Sequence, residues 1–264
     1  MNRRDFLTAS AAAGIAPLAT ASSVSAQQQG EREYFELRRY HAIPGPKQRA
    51  LTSFLGDVAV PAMNRAGVGP VGAFSVTYGE NAPTIMMLLV HKTLDSVTTL
   101  RERLMDDAEY RRAGAATIDT PLADPAFVRV ESSLLRAFAD MPRLEAPAGA
   151  AERTPRIFEL RRYESHSDPA AIRKIEMFNN RGGEIAIFRR TGLTPVFFGE
   201  TIVGPHMPNL TYMLTFPDMA TRDAAWQTFQ TDPEWRRLAG DPYFADTVSS
   251  ITDVILRPLA FSQI

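Results

Sequence analysis

One stretch of this sequence occurs twice, and the repetition fixes most of what the chain can become. Phe35-Glu36-Leu37-Arg38-Arg39-Tyr40 returns as Phe158-Glu159-Leu160-Arg161-Arg162-Tyr163, six identical residues at a spacing of 123. The register continues at a spacing of 125: Arg65-Ala66-Gly67 with Arg190-Thr191-Gly192, Pro70-Val71 with Pro195-Val196, Pro83 with Pro208, and Asp107 to Arg112 with Asp232 to Arg237. One two-residue insertion reconciles the two spacings. A period this long marks a duplicated domain, not a solenoid repeat. Residues 31–139 and 155–264 read as the two copies, and residues 140–154, rich in Ala, Pro and charge, read as the linker.

Each copy reads strand–helix–strand–strand–helix–strand. Phe35, Leu37 and Arg39 alternate with Glu36, Arg38 and Tyr40, a period-two strand ended by Pro44-Gly45-Pro46. Leu51, Phe54, Leu55, Val58 and Met63 follow helical spacing, with Gly67 as the stop. Residues 71–78 and 85–91 read as strands around a hairpin loop at 79–83. Thr93 or Asp95 caps a helix that carries Val97, Leu100 and Leu104, and residues 127–135 close the copy. The second copy predicts strands at 157–163, 195–202, 210–216 and 247–258, with helices at 168–190 and 219–238. This order is the ferredoxin-like unit. A single unit leaves one sheet face bare, and a bare face must be buried. The expected fold class is therefore α+β: two tandem ferredoxin-like (βαββαβ) units packed sheet to sheet as a pseudo-symmetric α+β barrel. In each unit the first and third strands are expected to be central, parallel neighbours. Closure within one chain leaves the oligomeric state open, with sheet edges as the route to a homodimer.

The first residues read as an address. Arg3-Arg4 before Phe6-Leu7, an Ala-rich run over 9–21, and Val24-Ser25-Ala26 stand in the order of a twin-arginine signal peptide. Cleavage after Ala26 would leave 238 of the 264 residues, in the periplasm or outside the cell. No later stretch reaches the roughly 18 consecutive apolar residues of a membrane helix. With 29 basic against 30 acidic residues there is no overall basic footprint for nucleic acid. The absence of Cys removes disulfides, thiolate nucleophiles and Cys-ligated metals.

Tyr34 to Tyr40 with Pro44-Gly45 close behind resembles the opening of NIPSNAP-family domains. Arg65-x-Gly67 and Asp232-Pro233-Glu234-Trp235 are similar to that family's later landmarks. Glu159, Arg161, Tyr163 and Gly192 carry the resemblance in the second copy. Ala108 and Tyr110 depart from it in the first copy, as does Ser165 to Asp168 in the second. The resemblance implies a dimeric α/β-barrel fold more firmly than an activity. The wider fold group that it points to includes cofactor-free monooxygenases, haem enzymes and binding proteins.

Placing Phe35, Leu37, Phe158 and Leu160 against the helices sends Glu36, Arg38 and Tyr40, with Glu159, Arg161 and Tyr163, into the space between the sheets. Arg129 and Glu131 join them from the fourth strand. Buried charge demands pairing, so one reading is two Glu–Arg networks that set register. The other is a pocket for a small anionic or phenolic molecule, with Arg as anion partner and Tyr or Glu moving protons. Binding of a small ligand or partner, without assigned catalysis, is the leading function. The first alternative is a cofactor-free or haem-dependent oxidoreductase or isomerase that uses Arg38, Tyr40, Arg161 and Tyr163. The second is a structural or assembly protein. A cavity of several hundred Å³ beside Arg38 or Arg161 marks the first two readings; a filled interior with paired Glu and Arg marks the third. His41, His91, His166 and His206 offer a conceivable metal or axial haem ligand, but they do not repeat between copies and lack metal-ligand spacing, and the favoured reading is that they are solvated. No cofactor is expected; haem remains an alternative through the fold group and these histidines. No Gly-x-Ser-x-Gly, P-loop or Gly-x-Gly-x-x-Gly is present.

Overall fold

The structure is a computed structural model that describes residues 32–78, 83–179 and 181–264. The twin-arginine segment lies outside the described residues, as does most of the first hairpin loop. The first copy supplies β1 (Tyr34–His41), β2 (Val71–Tyr78), β3 (Thr84–His91) and β4 (Arg129–Ala137). The second supplies β5 (Ile157–Glu164), β6 (Thr194–Val203), β7 (Asn209–Phe216) and β8 (Ser250–Pro258). They close into one barrel in the order β1-β3-β2-β8-β5-β7-β6-β4. The copies are joined by the β2–β8 and β4–β6 pairings, so every strand has two neighbours and no sheet edge is left among the described residues. The edge-pairing route to a dimer is therefore closed.

β1 and β3 are antiparallel, Phe35 opposite Val90 and Leu37 opposite Leu88, which corrects the parallel expectation. The helical crossover returns the chain so that β2 runs parallel to β1. The tight hairpin then reverses it, so β3 must oppose β1.

The helices lie outside, two segments per crossover. α1 (Pro46–Phe54) runs through a π-helical turn (Leu55–Ala59) into α2 (Val60–Arg65). The second copy is two residues longer over this crossover, 27 positions from Tyr163 to Arg190 against 25 from Tyr40 to Arg65. The expected helix at 168–190 is broken into α5 (Asp168–Phe178) and α6 (Glu184–Arg190), because Gly183 takes a left-handed conformation, φ 74°, that ordinary side chains avoid. α3 (Leu94–Asp106) gives way to α4 (Ala108–Ile118), and α7 (Met219–Thr231) to α8 (Pro233–Ala239), at Asp107 and Asp232. Each Asp caps the new helix, accepting from the backbone N–H of residues two and three ahead. Arg65 clamps Asp107 at 2.7 Å and Arg190 clamps Asp232 at 2.5 Å. The repeated Arg-x-Gly and Asp-x-Glu landmarks are thus one device used twice: a helix-end guanidinium that fixes the next helix's cap.

Three apolar clusters follow from this arrangement. Leu51, Leu55, Met63, Leu100 and Tyr40 pack between the first copy's helices and sheet. Phe178, Phe188, Phe198, Tyr212 and Phe229 do so in the second. The third cluster draws on both copies and fills the barrel: Phe35, Leu37, Leu88, Leu135, Phe158, Leu160, Phe197, Met213 and Leu256. It has no slack. A methyl group added at Gly72 would stand 2.7 Å from the Phe74 ring, and one at Gly199 2.9 Å from Leu135.

Candidate functional site

The third cluster inverts the expected facing of the repeated strand. Phe35, Leu37, Phe158 and Leu160 point into the barrel; Glu36, Arg38, Tyr40, Glu159, Arg161 and Tyr163 point outward, under the helices. The reason is closure. The middle of the barrel is sealed from water on all sides, and apolar side chains fill it, whereas the outer faces of β3 and β4 in the first copy and α7 in the second carry polar partners for the charged set.

Those partners are close. Arg38 donates to Glu36 through Nε at 2.6 Å and through its terminal nitrogen at 2.9 Å, and Ser132 Oγ donates at 2.7 Å. His91 Nε2 lies 3.4 Å from the same carboxylate, while its Nδ1 meets Ser96 Oγ at 3.0 Å. Burial pushes the Glu36 carboxyl upward, but His91, Arg38 and Ser132 outweigh it and hold it at about 2. The native value lies below the ordinary 4.5, so the carboxylate's stabilisation is complete above about pH 4.5 and is lost as pH falls towards 2. That shift corresponds to roughly 3 kcal/mol. Urea midpoints taken from pH 5 to pH 2 should fall more steeply for the parent protein than for Glu36→Gln; parallel curves would contradict the pairing.

In the second copy Phe216 replaces His91 and Asp253 replaces Ser132. Glu159 is fully buried and takes its donors from α7 instead: Arg222 at 2.5 and 3.0 Å and Trp226 Nε1 at 2.8 Å, with Arg161 at 2.8 Å. Arg161 also lies over the Trp226 ring at 4.6 Å. Burial raises Glu159, but Arg222, Trp226 and Arg161 bring it below the usual carboxylate range. Arg222 and Trp226 were not singled out as partners of Glu159 from the sequence. Their spacing of four on one helix was the available signal.

A second buried group was also missed. Lys174 on α5 and Glu184 on α6 pair at 2.8 Å inside the aromatic layer. The Lys174 ammonium lies 4.5 Å from the Phe178 ring centre and 5.6 Å from that of Tyr163. Burial pushes the Glu184 carboxyl up, and Lys174 opposes that only in part. Beside it Tyr212 donates to Tyr163 at 2.8 Å, and burial raises both phenols.

The residues that do enter the barrel in a polar setting are the other arginines of the repeat, Arg39 and Arg162. Two small cavities, about 20 and 30 Å³, are lined by both of them together with Thr252 and Val254. Ser133, Thr201, Asn209 and Thr211 line the first; His41, Thr84 and Met86 line the second. Arg162 contacts Thr252 Oγ1 at 3.2 Å and Glu164 at 3.0 Å. Of the expected site residues only Arg129 and Glu131 share this phase, at the rim, paired at 3.0 Å; His41 Nε2 stands 3.1 Å from Glu131. Arg39 stands opposite Glu131 in the β1–β4 register. His41 and His91 are buried, which corrects the solvated reading; His166 and His206 are exposed. The larger clefts, of about 720, 580 and 450 Å³, are not lined by histidine, so they offer a haem no imidazole ligand. Among the described residues no group of three or more His, Asp or Glu is placed to hold a metal ion, and no helix is long and apolar enough to cross a membrane.

Comparison with known proteins follows the same lines. Residues 158–263 match the NIPSNAP family, so the second copy carries a NIPSNAP domain. None of the curated proteins matches the sequence. Among solved structures, a provisionally designated monooxygenase from Lactobacillus acidophilus aligns at TM-score 0.55 with 11% identity, covering 86% of this chain and 94% of its own. One from Fusobacterium nucleatum aligns at 0.53 with 9% identity, covering 86% and 93%. A NIPSNAP-like protein from Burkholderia xenovorans is 22% identical over 40% of this chain and 88% of its own, at 0.37. At these identities the first two likenesses establish the barrel fold alone.

Proposed function

We propose that this chain is an exported tandem NIPSNAP-domain protein that binds a small inorganic anion in the polar end of its barrel, between Arg39 and Arg162, with no turnover assigned. One observation carries the reading: the duplication delivers the same arginine twice, and both copies line each of two small cavities beside the Thr252 hydroxyl. Two guanidiniums lining one small space favour a negatively charged occupant, because their N–H groups only donate and their charge is permanent. Each cavity has room for about one water-sized occupant, which restricts the ligand to an ion of one to a few atoms. The Glu36 and Glu159 carboxylates each accept from several donors and tie neighbouring strands together and, through Arg222 and Trp226, to α7; His91 Nε2 and Arg161 Nε are buried beside them without a hydrogen-bond partner. Export rests on Arg3-Arg4, the Ala run and Val24-Ser25-Ala26.

Melting curves of the full chain in chloride, bromide or nitrate test the binding, with a bulky anion holding ionic strength constant. The small anions are expected to raise the melting temperature, since a ligand at 100 times its Kd stabilises by about 2.7 kcal/mol. Arg39→Gln and Arg162→Gln should each abolish the increment, whatever they do to the baseline. An equal increment in parent and variants would overturn the reading.

A further inference from the structure

The other end of the barrel carries a different kind of space. A cleft of about 720 Å³ opens between the linker, the loop entering α7 and the end of β8. Ile157 and Ile264, both buried, contribute to an apolar floor with Leu259 and Met219. Beneath the linker the cleft meets a second depression of about 580 Å³, which shares Ala150, Arg153 and Ser262 with it and adds Val60, Pro61 and Phe261. The combined lining is mostly apolar, with Phe261 as its aromatic side chain.

Its charges are unbalanced. Arg153, Arg156 and Arg257 line the main cleft, and Asp218 is the acidic side chain among its lining residues. Asp218 is already engaged, capping α7 through Thr221 N at 2.7 Å. Arg156 is held by Ala148 O at 2.7 Å and Thr154 O at 3.2 Å, so it braces the linker. Arg153 and Arg257 make no side-chain hydrogen bond or ion pair among the described residues. Two uncommitted guanidiniums over an apolar trough match one ligand chemistry: a carboxylate head on a hydrocarbon tail.

We propose that this cleft is a second binding site, for an amphipathic monocarboxylate whose head meets Arg257 and Arg153 and whose tail runs over Ile264 towards Phe261. It is independent of the anion site. Ile157 and Arg162 stand five residues apart on β5, roughly 17 Å of strand, and the two sets of lining residues do not overlap.

Calorimetric titration of the full chain with decanoate, decanol and acetate at fixed ionic strength tests it. Saturable decanoate binding is expected, with decanol and acetate each at least tenfold weaker. Loss of one charged hydrogen bond is worth about a tenfold drop in affinity, so Arg257→Ala and Arg153→Ala should each weaken decanoate about tenfold. Both residues are exposed, and circular dichroism checks that each variant is folded. Arg39→Gln should leave decanoate binding unchanged, which separates this site from the one in the barrel. Three results would overturn the proposal: no saturable binding, decanol binding as tightly as decanoate, or unchanged affinity in both cleft variants.

Discussion

Lys174→Met is expected to cost about 3–5 kcal/mol, because it strands the Glu184 carboxylate in an aromatic layer with no cation to meet it. The two side chains are 5% and 2% exposed, so water cannot take over the missing role. Changing both residues, Lys174→Met with Glu184→Met, should recover most of that loss, since two buried charges need not be desolvated. The first copy shows the apolar version at work. At the repeat spacings Leu51 stands where Lys174 does and Ala59 where Glu184 does, and both are buried. Urea midpoints for the two single variants and the double variant close the cycle. A Lys174→Met cost under about 1 kcal/mol would show that the pair is not confined as described.

Glu159→Ala is the second large effect, expected at about 3 kcal/mol. Glu159 is 0% exposed and accepts from Arg161, Arg222 and Trp226, so its removal leaves two guanidiniums and an indole N–H facing a gap. Asp253, 3.2 Å from Arg161, limits the damage. The fluorescence of Trp226 supplies a second readout, because its N–H loses its acceptor; Trp235 is the chain's one other tryptophan. Unchanged emission together with unchanged stability would contradict the network.

The repeat made the strand order, the helix-outside arrangement and the barrel itself legible before any coordinates. Which face of β1 looks inward was not legible. Alternation along Phe35 to Tyr40 separates two faces, but both are buried here, one in the barrel and one under helices. Hydrophobicity therefore gives no simple inside and outside. A shift of one position exchanges Arg38 for Arg39, and with them the residues that reach the enclosed space. The signal that favours the observed phase sits elsewhere in the chain. Arg222 and Trp226 make a polar stripe on α7, and a helix can offer that stripe only to the sheet face carrying Glu159. The Lys174–Glu184 pair was hidden for another reason. Its partners belong to separate helices divided at Gly183, and a continuous helix over 168–190 would not have brought them together in this way.

Arg39 and Arg162 are expected to share one occupant inside the barrel. Crystals of the full chain grown or soaked in sodium bromide, measured at the bromine absorption edge, address this directly. An anomalous peak between the two guanidiniums, beside Thr252 and absent from Arg162→Gln crystals, is the predicted result. Bromide found only on the outer surface, with water alone between Arg39 and Arg162, would contradict the claim.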